Sequence, residues 1–355
     1  MKCFAPSGGA GAAKSTLNLD SGDTVSFIKK NLTIIRLFCY INISGYIDIV
    51  MGTVTYFKAL ADETRLRILN LLYKKELNVN EIVSILDMGQ SRISRHLKIL
   101  SDSSFINSRK DGLWVFYKAN DTGFSGDLIR LIDSKLKSEE IFLLDILRLD
   151  KYIKERGEKG KEYFNKVASE WKKIRGEILG ELNLNSEIVK SAGKCCCTAD
   201  LGCGNGELVE LLLAKSEKVI GVDRSSGMLD EAGKYLKSSG ETGFDLRLGE
   251  LAHLPIRDGE TDCAVINMVL HYLDDPSAAV AEAARVVKSG GRLIITELDS
   301  HGDESLRNNY GHRWLGFSTD TVESWLDRNG FLFKKSKSFK AAKGLDVVLY
   351  VAEKV

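Results

Sequence analysis

The stretch "KCCCTADLGCGNGELVELLL", Lys194–Leu213, decides how the chain is read. A short apolar run ends in Asp200. Gly202, Gly204 and Gly206 follow at alternate positions, and an amphipathic segment comes next. Strand, glycine loop, helix is an arrangement that lets backbone approach a ligand, because glycine has no Cβ to hold the ligand off. Alone, the spacing is shared by several nucleotide-binding folds.

Outward from that loop the signal sharpens. "KVIGVDRSSGML", Lys218–Leu229, reads as a second strand ending in Asp223, 17 residues after Gly206. An acid at such a strand end accepts hydrogen bonds from ribose hydroxyls. Phe244–Pro276 holds two more strands, and Ala278–Asp299 a helix, a Gly-Gly turn and a fifth strand. Alternating strands and helices build a doubly wound sheet. The final segment, residues 330–354, reads as two strands with no helix between, an antiparallel hairpin.

"ADLGCGNGE", "VIGVDRSSGML", "GELAHLP" and "VINMVLHYLDDP" together resemble a class I S-adenosylmethionine-dependent methyltransferase, over about 170 residues. The resemblance implies roles residue by residue. Asp200 ends the strand beneath the methionine part, and Gly202, Gly204 and Gly206 line it. Asp223 takes the ribose, and Met228 packs near the adenine. Glu250, where the family often has Asp, takes the adenine amino group with Leu251 beside it. Asn267 ends the fourth strand beside the point of methyl transfer. Phe164 and Trp171, in "YFNKVASEW", close over the ligand.

Chemistry at that point is less defined. Amino-group methyltransferases acting on DNA bases usually carry N/D-P-P-Y, whereas this chain has Asn267-Met268-Val269-Leu270, and no Pro-Cys nucleophile occurs. His271 is a candidate general base; it could equally just line the cavity. His301 and His312 could cap it, while Trp314 and Phe317 read as packing residues. Three consecutive cysteines, Cys195–Cys197, alternate sides of a strand and behave as small hydrophobes.

Upstream, "FKALADETRLRILNLL", Phe57–Leu72, places Leu66, Leu69 and Leu72 on one helical face, with Asp62 as the N-cap of that helix. A second helix near Glu81–Leu86 leads into "DMGQSRISRHLKIL", Asp87–Leu100. Met88-Gly89 makes the turn and Ser91 caps the next helix. That helix carries Ile93, Leu97 and Leu100 on one face and Ser91, Arg92, Arg95 and Lys98 largely on the other. This is a helix-turn-helix with a polar, basic outer face. "FINSRKDGLWVFYKA", Phe105–Ala119, then reads as two strands with Asp111-Gly112 in the turn, a wing offering Arg109 and Lys110 to phosphate or minor groove. From Gln90 to Lys118 six Lys/Arg face two Asp, a local excess hidden by the overall charge of +1.

These three segments resemble the ArsR/SmtB family of winged-helix repressors. Metal-sensing members carry a C-x-C pair where this chain has Asn78 and Asn80, and no histidine lies between His96 and His253. No metal is therefore expected. Asn78 instead forms a capping-box pair with Glu81.

The expected organisation is an N-terminal extension over 1–50 and a winged helix-turn-helix domain over 51–120. A helical dimerisation or linker region spans 121–185, and an α/β Rossmann-like methyltransferase domain spans 186–355. The first fifty residues read as an extension ahead of a native start at Met51, too briefly apolar to span a membrane. Connector helices carry an apolar stripe (Leu128, Ile132, Leu136, then Leu143 and Leu147) suited to a homodimer, with Gly157 and Gly160 expected to break the helix. Seven cysteines without C-x-x-C argue for reduced, cytoplasmic thiols.

Joined in this order, the two halves resemble S-adenosylhomocysteine-responsive regulators of methionine-cycle genes. The resemblance implies a dimer that binds a double-stranded DNA operator, with S-adenosylmethionine or S-adenosylhomocysteine as effector. The alternative is an active methyltransferase on a small-molecule acceptor, with the winged helix as dimerisation or autoregulatory module.

Overall fold

The computed structural model describes residues 53–180 and 182–355, so the N-terminal extension lies outside the described residues. By their contacts the described residues divide into two units, one ending at Leu66 and the other spanning Arg67–Val355. In the first, residues 53–60 form a helix (α1), and Asp62 Oδ1 accepts the Arg65 amide at 3.0 Å, the N-cap expected for α2 (Glu63–Lys74).

In the second unit, β1 (Leu77–Asn78), β3 (Trp114–Ala119) and β2 (Ile106–Asp111) form a three-stranded sheet in that order. Between β1 and β2 stand α3 (Val79–Leu86) and α4 (Gln90–Asp102). The capping box at α3 is complete: Asn78 caps the Glu81 amide and Glu81 returns to the Asn78 amide. In α4, Ile93, Leu97 and Leu100 are buried, as the pattern predicts. Its N-cap, however, is Gly89, which has extended dihedrals, and Ser91 already lies inside the helix. The wing turn is also shifted by one: Asp111 still pairs with Trp114, leaving Gly112-Leu113 as the two-residue loop. Gly112 has φ +59° and Leu113 does not share it, the glycine-first pattern of a type II′ hairpin.

The connector differs from its sequence reading in two places. The first helix stops at Leu136 (α5, Gly123–Leu136), and α6 (Glu140–Val167) runs unbroken through Gly157 and Gly160 for 28 residues, about 42 Å. The glycines permit close approach rather than a break. A Cβ on Gly160 would stand 2.6 Å from the Arg224 guanidinium, which donates to the Gly157 carbonyl at 2.5 Å. Asn165, further along α6, accepts from Ser225 Oγ at 2.6 Å. The other end of α6 is tied to α2 by a buried bidentate pair, Arg67 to Asp145 at 2.7 and 2.8 Å. A 3-10 turn, α7 (Trp171–Leu179) and α8 (Leu184–Ala192) follow.

The large sheet has seven strands in the order β6-β5-β4-β7-β8-β10-β9. They are β4 (Cys195–Leu201), β5 (Ser216–Asp223), β6 (Phe244–Leu248), β7 (Thr261–Asn267), β8 (Val287–Leu298), β9 (Phe331–Lys340) and β10 (Asp346–Lys354). The first five are parallel, and β10 pairs antiparallel with both β8 and β9, the expected terminal hairpin. Period-two burial divides each central strand between two cores. Ala264 and Ile266 face one, with α10 (Pro276–Val286) and α11 (Thr319–Arg328). Cys263 and Val265 face the other, with α8 and α9 (Glu207–Leu213). Cys195, Cys196 and Cys197 alternate likewise, half-buried, exposed, half-buried. This is a doubly wound α/β fold. Its strand order reverses at β4, so the crevice beyond the ends of β4 and β7 is where a ligand site belongs.

Candidate functional site

At that crevice the glycine loop takes the conformation its composition allows. Gly202, Gly204 and Gly206 have φ of +88°, +52° and +82°. A Cβ on Gly202 would lie 2.5 Å from Val269 Cγ2, so only glycine fits between β4 and the turn after β7. Asp223 closes the loop. Its Oδ2 accepts the Gly204 amide at 3.0 Å and its Oδ1 the Ser225 amide at 2.8 Å. Each oxygen keeps a lone pair for a hydroxyl donor. Burial raises the Asp223 carboxyl above its ordinary value, and those amide bonds oppose the rise.

Asp200 is almost wholly buried, and neither carboxylate oxygen has a hydrogen-bond partner. Desolvation lifts it to about 7, with Arg175 pulling the other way. A buried, unsatisfied acid at the strand end calls for a cationic or donor group close by. The alternating glycines and the paired acids Asp200 and Asp223 therefore fit an amino-acid nucleoside such as S-adenosylmethionine.

The cavity around them measures about 870 Å³. Asp200, Gly202, Gly204, Asp223, Met228, Glu250, Leu251 and Asn267 all line it, so the structure brings together the expected nucleoside residues except Gly206, which turns into α9 instead. Phe164 and Trp171 line it as well, ring centroids 5.5 Å apart, and Trp171 Nε1 comes within 3.5 Å of where a Gly204 Cβ would be. Asn267 Oδ1 accepts from Thr296 Oγ1 at 2.7 Å. Met268 next to it has φ +58°, a strained conformation for a side chain bearing a Cβ and one that clusters at functional sites.

His271 also lines the cavity and is 2% exposed. Its Nδ1 lies 2.5 Å from Oε1 of Glu297, itself buried, and its amide donates to Glu297 Oε2 at 3.2 Å. A carboxylate on Nδ1 fixes the ring and directs Nε2 away from it. His312 stacks on His271 at 4.1 Å between centroids and meets Tyr272 Oη at 3.3 Å. Burial depresses the His312 imidazole, holding it neutral. Trp314 and Phe317 are core residues, as expected.

Sequence reasoning missed the far wall of the same cavity, formed by Lys75, Asn78, Asn80, Glu81 and Trp114 of the winged helix with Arg156 and Arg313. Glu81 is 4% exposed and accepts both Arg156 and Arg313, while Asp274 binds the same two arginines at 2.6 and 3.6 Å. No local pattern announces such pairs, since the partners lie far apart in sequence.

The residues expected to meet DNA fall into two groups. Ser91, Arg92, Arg95 and Lys98 are exposed on α4, Lys98 paired with Asp102 at 3.0 Å. On the wing, Lys110 is exposed, but Arg109 pairs with Glu76 and Asp111 and lies over the rings of Phe116 and Trp314. Among the described residues no cluster of His, Cys, Asp or Glu could hold a metal ion, and no helix is long and apolar enough to cross a membrane.

Residues 62–108 match the family model described as bacterial regulatory protein, arsR family, and residues 199–295 the model of a methyltransferase domain. The arsenical resistance operon repressor of Escherichia coli (strain K12) is 49% identical over 63 residues, 18% of this chain and 54% of the repressor. A demethylmenaquinone methyltransferase of Thermobifida fusca (strain YX) is 35% identical over 129 residues, 36% of this chain and 52% of that enzyme. In shape, geranyl diphosphate C-methyltransferase from Streptomyces coelicolor A3(2), crystallised with S-adenosyl-L-homocysteine, matches at 14% identity and a TM-score of 0.44, over 48% of this chain and 78% of that one. The chain spans less than two thirds of the length of the first curated relatives it matches.

Proposed function

We propose that this chain, an arsR-family winged helix joined to a methyltransferase domain, is a DNA-binding transcriptional regulator whose methyltransferase domain is its sensor. S-adenosylmethionine or S-adenosylhomocysteine is the effector, held by Asp200, the glycine loop and Asp223. The observation that carries this reading is the shared cavity: Gly202 and Asp223 line one end, Asn78, Glu81 and Trp114 of the winged helix the other. A ligand there can bind two arrangements of the winged helix with different affinity, and linkage then changes operator affinity by the same factor. The two effectors differ by a methyl group and a sulfonium charge, a difference that the buried carboxylate of Asp200 can read.

On DNA the protein acts as a homodimer through α5 and α6. Leu131, Leu143, Leu144 and Leu147 are exposed on these helices, a larger apolar surface than one domain covers. Ser91, Arg92, Arg95 and Lys98 of α4, with Arg109 and Lys110 of the wing, meet the duplex.

The test is calorimetry with each nucleoside, then gel shifts of operator DNA with and without it. Tight binding of one nucleoside together with a changed operator affinity supports the reading. Unchanged operator affinity with both, across salt concentrations, refutes it.

One observation favours a second reading, a small-molecule methyltransferase. The Glu297–His271 pair beside Asn267 has the layout of an oriented general base. Methyl transfer from labelled S-adenosylmethionine to a panel of small acceptors tests it.

A further inference from the structure

We propose that Glu304, Arg307, Trp314 and Leu315 of the methyltransferase domain form a docking site for the DNA-reading hairpin β2–β3, and that the hairpin seated there is withheld from DNA. This rests on the reading of the winged helix as a DNA-binding unit.

The seat is built from charge and shape together. Asp111, near the hairpin tip, is 7% exposed. Its Oδ1 accepts Arg307 Nη2 at 2.5 Å and the Leu315 amide at 3.1 Å, and its carbonyl accepts Arg307 Nη1 at 3.2 Å. Arg307 is itself buried, neutralised by Asp111 and by Glu304, which accepts its Nη1 at 2.9 Å. Glu304 Oε1 also receives the amide of Leu113, at the very tip, at 2.7 Å. A Cβ on Gly112 would stand 2.2 Å from that oxygen and 2.6 Å from Leu315 Cδ1, so the turn lies flush on its seat. Behind the tip, Phe116 packs on Trp314 at 4.7 Å between centroids, and the Arg307 guanidinium covers Trp114 at 4.4 Å.

A wing reads DNA by laying its tip and basic side chains along phosphates or into the minor groove. Here Asp111 and one side of Gly112 lie against protein and Arg109 is turned onto Phe116 and Trp314, while the Leu113 and Lys110 side chains stay in solvent. The outer face of α4 stays exposed. One reading element is therefore presented and the other engaged, the arrangement of a regulator at rest. Trp114 and Arg307 also line the ligand cavity, so an occupant touches the residues that hold the hairpin. Ligand and duplex then compete or cooperate through one equilibrium, docked against released.

The experiment uses the full chain and two variants, Arg307→Met and Trp314→Leu. Each is titrated against a short labelled duplex of random sequence at several salt concentrations, and amide hydrogen exchange of residues 109–116 is followed. Arg307→Met removes a cation, which alone weakens DNA binding, and leaves Asp111 only Arg109 and the Leu315 amide as partners. Release of the hairpin predicts the opposite: several-fold tighter binding, faster exchange at 109–116, and a salt slope steeper by about two as Arg109 and Lys110 reach phosphates. Trp314→Leu changes no charge and should act in the same direction. Faster exchange with unchanged affinity and slope overturns the proposal, leaving a domain contact without a role in DNA binding. Unaltered exchange in both variants overturns it too, since these residues would not hold the hairpin. Failure of every form to bind any duplex refutes the DNA-binding reading beneath it, whatever the nucleosides do in calorimetry.

Discussion

Glu81 Oε1 lies 2.8 Å from Arg313 Nη1, a residue 232 positions further along the chain. The same carboxylate caps α3 through Oε2 and receives Arg156. One side chain thus finishes a helix of the winged-helix domain and neutralises two arginines on the wall of the cavity. Glu81→Ala should cost about 3–5 kcal/mol, because a buried ion pair loses one partner and the remaining charges stay behind. Glu81→Gln keeps an acceptor for the Asn78 amide and should recover about 1 kcal/mol of that through the cap. Urea unfolding followed by circular dichroism measures both. A loss below about 1 kcal/mol for the alanine variant would show that the arginines find other partners.

Asp200 makes stability depend on pH. Its carboxyl rises from 3.8 to about 7 on folding, so the folded chain holds that proton more tightly than the unfolded chain does. Its contribution is complete below about pH 4 and is lost as pH rises through 7. A shift of about three units amounts to on the order of 4 kcal/mol. Asp200→Asn, which cannot ionise, should gain on the native chain as pH rises across that window. Parallel stability curves for the two, from acid to neutral pH, would contradict the assignment. A cationic ligand stabilises the carboxylate, so S-adenosylmethionine binding near pH 6 should release a proton, read as a buffer-dependent calorimetric enthalpy.

His271 separates the two functional readings. On the enzymatic one, His271→Ala should lower methyl transfer by about 10²–10⁴-fold while nucleoside affinity stays within a few-fold. Glu297→Gln should also lower transfer, because the carboxylate fixes the imidazole through Nδ1. A transfer rate untouched by either change would reduce the pair to a structural tie between β8 and the turn after β7.

Sequence proved legible where the physics is local. The positive φ of the loop glycines, the place of Asp223 at the end of its strand and the Asn78–Glu81 cap each depend on residues within one turn or one strand–loop–helix unit. What escaped was long-range or context-bound. Gly157 and Gly160 read as breakers, yet a helix tolerates them at a modest cost when Arg224 has to approach. Ser91 read as a cap because serine suits one, but Gly89 already had the extended dihedrals, two residues earlier. Arg109 looked like any basic wing residue until Trp314, some two hundred positions on, supplied a ring for it. Pairing of Asp111 with Arg307 and of His271 with Glu297 carries no periodicity at all.

The exposed leucines of the connector give the last prediction. Leu143 and Leu147 stand one helical turn apart on α6, 47% and 63% exposed, with Leu144 between them at 44%. In a two-fold interface each leucine is buried twice, and with about half of each side chain already covered one position contributes about 1.5–3 kcal/mol to the dimer. Leu147→Glu should convert a dimer to a monomer in sedimentation equilibrium while leaving the far-ultraviolet circular dichroism unchanged, since the side chain makes no part of the described core. The same variant should weaken binding to a palindromic site far more than to a random duplex, because only the former needs two recognition helices at a fixed spacing. A native chain that sediments as a monomer at every concentration, or a glutamate variant that stays dimeric, would move the dimer contact away from α6.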